Sequence, residues 1–163
     1  MTNRLAQTFL VASCALYMLL VVFNNLTDYN SNYQLVEHVL GMDTTFPGNS
    51  GLWRAIHSPV VFHIFYASII AWEATCCVLL ALGACRLWQA RSFPPARWLP
   101  AKKWAVAGLT LGLLLWLVPF ITVGGEWFLM WQSSKWNGLG PATRMFTVMG
   151  FVLIYLNQSE AAS

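Results

Sequence analysis

Charge is what this sequence has least of. Asp, Glu, Lys and Arg make up 9% of its 163 residues, against about 25% in soluble domains. That is too little to coat a water-facing surface, and it excludes a soluble globular domain. Ligands for metal and redox chemistry are also scarce, with three histidines and four cysteines. Cys14, Cys76, Cys77 and Cys85 form no CxxC pair and lie within or at the end of apolar stretches. They read as buried thiols acting as small hydrophobes. No nucleophile–base pair, phosphate loop or dinucleotide fingerprint is present. The formal charge of +3 does not point to nucleic acid, because most basic residues sit in one short connection between apolar runs.

Long apolar runs are what is there instead, in a chain 58% hydrophobic with nine tryptophans. Val60–Leu82 is 23 residues of apolar sequence interrupted by His63 and Glu73. Such a run reads as a transmembrane helix, and an ionisable residue within it as a functional-site hypothesis. Three further runs complete an all-α fold: a four-transmembrane-helix bundle forming a single domain over 1–163. The spans are expected at about 5–23, 60–82, 104–123 and 143–156. The first is read as an uncleaved anchor, since it ends in Phe-Asn-Asn-Leu-Thr-Asp rather than at a small-residue cleavage site. The fourth, at about 14 residues, is marginal for crossing unless it begins earlier than Thr143 or crosses a thinned region. Pro119 is expected to kink the third. Its Gly108-xxx-Gly112 pair permits close approach, with Ala67 and Ala71 as a candidate receiving face.

The connections set the expected orientation. Arg86, Arg91, Arg97, Lys102 and Lys103 put five positive charges and no negative one into 85–103. The 24–58 loop has Arg54 against Asp28, Glu37 and Asp43. The Lys/Arg bias places the 85–103 loop and both termini in the cytoplasm, and its three prolines are expected to keep that loop non-helical in the middle. In the 24–58 loop a short amphipathic helix is expected from Tyr33 to Leu40, capped by Ser31 or Asn32 and ended by Gly41. Tyr33, Val36 and Leu40 share one face, so this helix lies on the membrane surface or lids the bundle. Trp53 and Arg54, and the Trp127, Trp131 and Trp136 segment, suit the outer interface.

The candidate chemistry is intramembrane. Seven-residue spacing puts His63, Tyr66, Ile70 and Glu73 on one stripe, and Ser13, Tyr17, Leu20 and Asn24 form another on the first span. Pairing the stripes antiparallel brings Ser13 opposite Glu73 and Asn24 opposite His63. An ionised carboxylate at mid-membrane costs about 2.5–3.5 kcal/mol on insertion scales, while interhelical hydrogen bonds average about 0.6 kcal/mol. Glu73 is therefore expected to be protonated or shielded, with Ser13 or Tyr17 as partner. The stripe is either a structural network or a proton or ion relay, or the polar end of a quinone site. At the outer face the candidates are His38, Asp43, His57, Arg54, Glu126, Trp127, Trp131, Trp136 and Arg144. Neither a haem across His38, His57 and His63 nor a metal on His38, Asp43 and His57 fits a strong pattern, so no cofactor is expected.

The segments NLTDYNSN (25–32), VEHVLGMDTTF (36–46), WRAI (53–56) and GGEWFLMWQSSKWNG (124–138), with a carboxylate in the second span, carry a family likeness. The chain resembles a bacterial family known only as predicted small integral membrane proteins. The resemblance implies a four-helix inner-membrane protein and carries no activity with it. Three functions remain open. One is an accessory or structural subunit packed against a larger membrane complex, a respiratory one being a candidate. Another is a proton-linked carrier or channel using Glu73 and His63, which four helices in one copy would have to build as a homo-oligomer. The last is a membrane redox protein with a haem or quinone.

Overall fold

The computed structural model describes residues 2–158. Four helices in it are long and apolar enough to cross a membrane: α1 (Thr2–Thr27), α3 (Pro59–Ala90), the run Pro95–Trp127 and α6 (Leu139–Asn157). Each has at least 19 residues, close to the roughly 20 that span a hydrocarbon core. The run Pro95–Trp127 comprises α4 (Pro95–Ala101), α5 (Lys103–Leu115) and a π-helical continuation, Trp116–Trp127. A further helix, α2 (Tyr29–Gly41), follows α1 almost directly.

Proline chemistry accounts for two differences from the expected boundaries. The 85–103 connection is not irregular in its middle but holds α4, because Pro95 occupies the first helical position, where a missing N–H forfeits no bond. The fourth span starts at Leu139 rather than after Pro141, since Pro141 falls in the first turn, where N–H groups are unbonded anyway. Pro119 does not break the third span; it falls near the start of the π-helical continuation. There Leu115 and Trp116, consecutive residues, are both buried.

Packing follows a seven-residue seam. On α3 the buried positions are Phe62, Tyr66, Ile69, Glu73, Cys76, Leu80, Gly83, Leu87 and Ala90, which alternate in steps of four and three. The buried Gln7, Val11, Cys14, Met18 and Asn25 of α1 and Ala142, Met145, Met149, Val152 and Leu156 of α6 keep the same rhythm. That is the packing of left-handed bundles, with ridges of one helix in grooves of the next. The small residues split between neighbours. A Cβ on Gly108 would meet Leu80 of α3 at 2.9 Å, and one on Gly112 would meet Met149 of α6 at 2.5 Å. Ala67 and Ala71, expected to receive these glycines, are exposed instead. The small residue of α3 that approaches α5 is Gly83, against Ala105: a Cβ on it would lie 2.5 Å from the Ala105 backbone nitrogen.

Antiparallel spans bring Thr2 and Asn157 to one end. Gln7 Nε2 donates to Tyr155 O at 3.0 Å and the Tyr155 hydroxyl bonds Asn3. Lys102, buried, donates from Nζ to Leu156 O at 2.6 Å, a cation on the carbonyls that end α6. Arg86, Arg91, Arg97 and Lys103 share this basic end. The opposite, loop end carries α2 and the turns around residues 42–58 and 128–138.

Candidate functional site

The site begins with Glu73, midway along α3 and 2% exposed. Its Oε2 accepts a hydrogen bond of 2.6 Å from Asn25 Nδ2 of α1, and Asn25 Oδ1 in turn accepts one of 2.6 Å from Asn32 Nδ2 of α2. The two amides thus form a chain pointing their donors at the carboxyl, in an environment where such chains polarise one another. Asn25 holds its place because it continues the buried face of α1 at the seven-residue step from Met18. No other described residue hydrogen-bonds the carboxyl, and no Lys, Arg or His among them lies within ion-pair distance of it.

Glu73, Asn25 and Asn32 line a cavity of about 240 Å³. Tyr17 and Val21 of α1, Leu35 and Val36 of α2, Tyr66 and Ile69 of α3, and Trp116 and Phe120 of the π-helical segment form most of its walls. Two of those walls carry buried donors without acceptors, the Tyr66 hydroxyl and Trp116 Nε1. The Tyr66 hydroxyl lies near Asn32 but completes no hydrogen bond with it. An unbonded buried donor costs about 1–3 kcal/mol. Both residues line the cavity, but these two atoms are themselves buried within its walls. Arg144, exposed on α6, is near enough to act electrostatically on Tyr17.

The cavity has a roof. Of the two expected roles for the amphipathic helix, lid or membrane surface, α2 takes the lid. Val36 and Leu40 pack with Phe62, Tyr66 and Phe128 as a second core. It starts at Tyr29, four residues before the expected start, and the Ser31 hydroxyl bonds Asp28. Its last residue is Gly41, but the left-handed cap that ends it is Met42 and not the glycine. His63 clasps it from α3. Its Nδ1 is 2.9 Å from the Tyr29 hydroxyl, and its ring stacks on Tyr33 at 4.4 Å. Tyr66 tilts against Tyr29 at 4.6 Å.

The expected stripes come together only in part. Tyr66 and Glu73 share the buried face, and Tyr17 lines the cavity, but His63 stands at the rim. Ser13 and Asn24 are exposed, so neither meets Glu73 or His63 as the antiparallel pairing required. The buried face of α1 is one residue further round. Ser13 needs no interhelical partner because its hydroxyl donates to Phe9 O of its own helix at 2.9 Å. Asn25 and Asn32 were not among the expected site residues. Their signal lay in Asn25 alone: an amide seven residues past a buried position of α1.

The outer-face candidates are dispersed around the loop end. His38 Nδ1 is 2.6 Å from Asp43 Oδ2 and its ring stacks on Trp136 at 4.5 Å. Arg54 lies over Trp127 at 5.3 Å, and Trp131 meets Phe46 edge-on. His57, Glu126 and Arg144 are exposed. Among the described residues no three His, Cys, Asp or Glu side chains gather as a metal site.

Residues 3–159 match the model of one protein family, described as "Predicted small integral membrane protein (DUF2165)". Neither the curated proteins nor the solved structures contain a match to the chain.

Proposed function

From the premise that this chain belongs to the family of predicted small integral membrane proteins (DUF2165), we propose that it binds an organic cation inside the membrane, at Glu73. The observation that carries this reading is a buried carboxylate with one amide partner on the wall of a 240 Å³ aromatic cavity. Tyr17, Tyr66, Trp116 and Phe120 offer π faces to a cationic head, and Glu73 offers the countercharge. A proton and the cation compete for one carboxylate, so binding is proton-linked, as a carrier's would be. His63 acts through the lid, by its contacts with Tyr29 and Tyr33.

Benzoylcholine is a suitable probe, with a fixed positive charge, an ester carbonyl and a ring. The purified protein in neutral detergent should bind it and discriminate against its uncharged carbon isostere by at least tenfold. Equal binding of the two would overturn the reading. Preferential binding of a short-chain quinone would favour the redox alternative.

An accessory or structural subunit is the second reading, supported by aromatic surface at the loop end. Trp53 is 76% exposed and meets the exposed Trp127 edge-on, a patch suited to another membrane protein. Mass spectrometry after purification in mild detergent tests it: a stoichiometric partner subunit supports it, and the chain alone or as a homo-oligomer counts against it. We further propose residence in a bacterial inner membrane with both termini cytoplasmic, from the positive charge of 85–103. A phosphatase fused at residue 95 and active there would reverse that orientation.

A further inference from the structure

The basic end carries a second site, independent of the Glu73 cavity. Its cations divide by what they bond. Arg4 donates to Arg91 O and Phe93 O, Lys102 to Leu156 O, and Arg91 to Trp88 O at 2.6 Å while stacking on Trp88 at 4.0 Å. These three brace the fold. Arg86 and Arg97 make no hydrogen bond or ion pair among the described residues, and Arg97 only rests on the Phe93 ring at 4.9 Å. Both line one groove of about 560 Å³ between the end of α3 and α4, together with Gln89, Phe93 and Trp104. From Ala74 to Gly125 the sequence contains no Asp or Glu, so no carboxylate of either element opposes them.

We propose that this groove holds the headgroup of an anionic phospholipid. Each guanidinium offers a planar fork of donors matched to phosphate oxygens, and two converge on one groove. The occupant must also be amphipathic. Phe93 and Trp104, which line the groove with the arginines, are 45% and 40% exposed, an apolar border that suits acyl chains and not a free anion. Pro94 and Pro95 start α4 directly after Phe93 and hold Arg97 two residues into the helix. Gln89 adds a neutral donor for a glycerol hydroxyl.

Native mass spectrometry of the full chain in neutral detergent tests this, with phosphatidylglycerol, zwitterionic phosphatidylcholine and glycerol phosphate as probes. Phosphatidylglycerol should be retained over phosphatidylcholine by about thirtyfold, the product of two basic contacts. The double variant R86Q/R97Q should lose that preference, with its thermal midpoint in lipid-free detergent unchanged because both side chains are exposed. R91Q, whose guanidinium is engaged, should keep the preference. Loss of preference in R91Q equal to that in R86Q/R97Q would reduce the site to general surface charge and overturn it. So would a preference surviving in R86Q/R97Q, or glycerol phosphate displacing the lipid at equal concentration.

Discussion

The two halves of the bundle use one seam for opposite purposes. Toward the basic end, α3 presents Leu80, Gly83 and Leu87, and Gly83 takes the Ala105 backbone into near contact. Leu80, Leu87, Ala105 and Leu109 are all fully buried there. Toward the loop end the same alternating positions carry Tyr66, Ile69 and Glu73, and they border a 240 Å³ cavity rather than a filled core. Helix association in lipid depends on close packing and interhelical hydrogen bonds more than on hydrophobic burial. Along the seam the basic half shows the first and the loop half the second, and the basic half adds hydrogen bonds where its helices end. Seam position decides which residues face inward; side-chain identity decides whether that half is scaffold or site.

Substitutions separate the halves, the basic one giving the largest effect. Gly83→Leu should destabilise the protein by about 3 kcal/mol, since a side chain would be driven into backbone. Ala67→Leu, at an exposed position of the same helix, should leave the unfolding midpoint in detergent nearly unchanged. A tolerant Gly83 would erase the contrast.

In the loop half, Glu73→Leu removes the acceptor of the buried Asn25 amide and should cost about 1–3 kcal/mol. Glu73→Gln keeps an acceptor and should cost less than half as much, yet lose cation binding. Comparable destabilisation by both would make the carboxylate's charge structural.

His63→Phe keeps a ring against Tyr33 but loses the Tyr29 hydrogen bond, for an expected cost of about 1 kcal/mol. The loss should appear as faster amide exchange in α2 and not in α5. Smallest is Ser13→Ala, within about 0.5 kcal/mol of wild type. Register can be read in the same region. Cys77 Sγ lies 3.7 Å from Ala15 O, so Ala15→Cys should crosslink to the native Cys77 in membranes, whereas cysteines at 13 and 73 should not.

Most of the fold was legible because membrane spans declare themselves by length and lack of charge. The seam was not. In helices apolar on every side, Leu16 facing lipid and Met18 facing the core look alike in sequence. Polarity then misleads, because a helix absorbs its own hydroxyls: Ser13, Thr75 and Thr147 each bond the carbonyl four residues back. That is why the polarity of Ser13 pointed away from the true face. Glu73 and Asn25 did turn inward, where they bond each other across two helices rather than their own backbone. The cavity was illegible for another reason: it is a gap between five segments, and α2 closes it only by folding back onto α3.

The central claim is that Glu73 receives the cation, and the pH dependence of benzoylcholine affinity, in wild type and E73Q, tests it most directly. The ligand's charge is fixed, so the titrating group belongs to the protein. Tyr17, Tyr66, Cys76 and Arg144 also stand near the cavity or Glu73, and E73Q retains them all. Affinity of the wild type should rise with pH as the competing proton leaves the carboxylate. E73Q should bind weakly, with no such rise. A pH response persisting in E73Q, or E73Q binding as tightly as the wild type, would contradict the account.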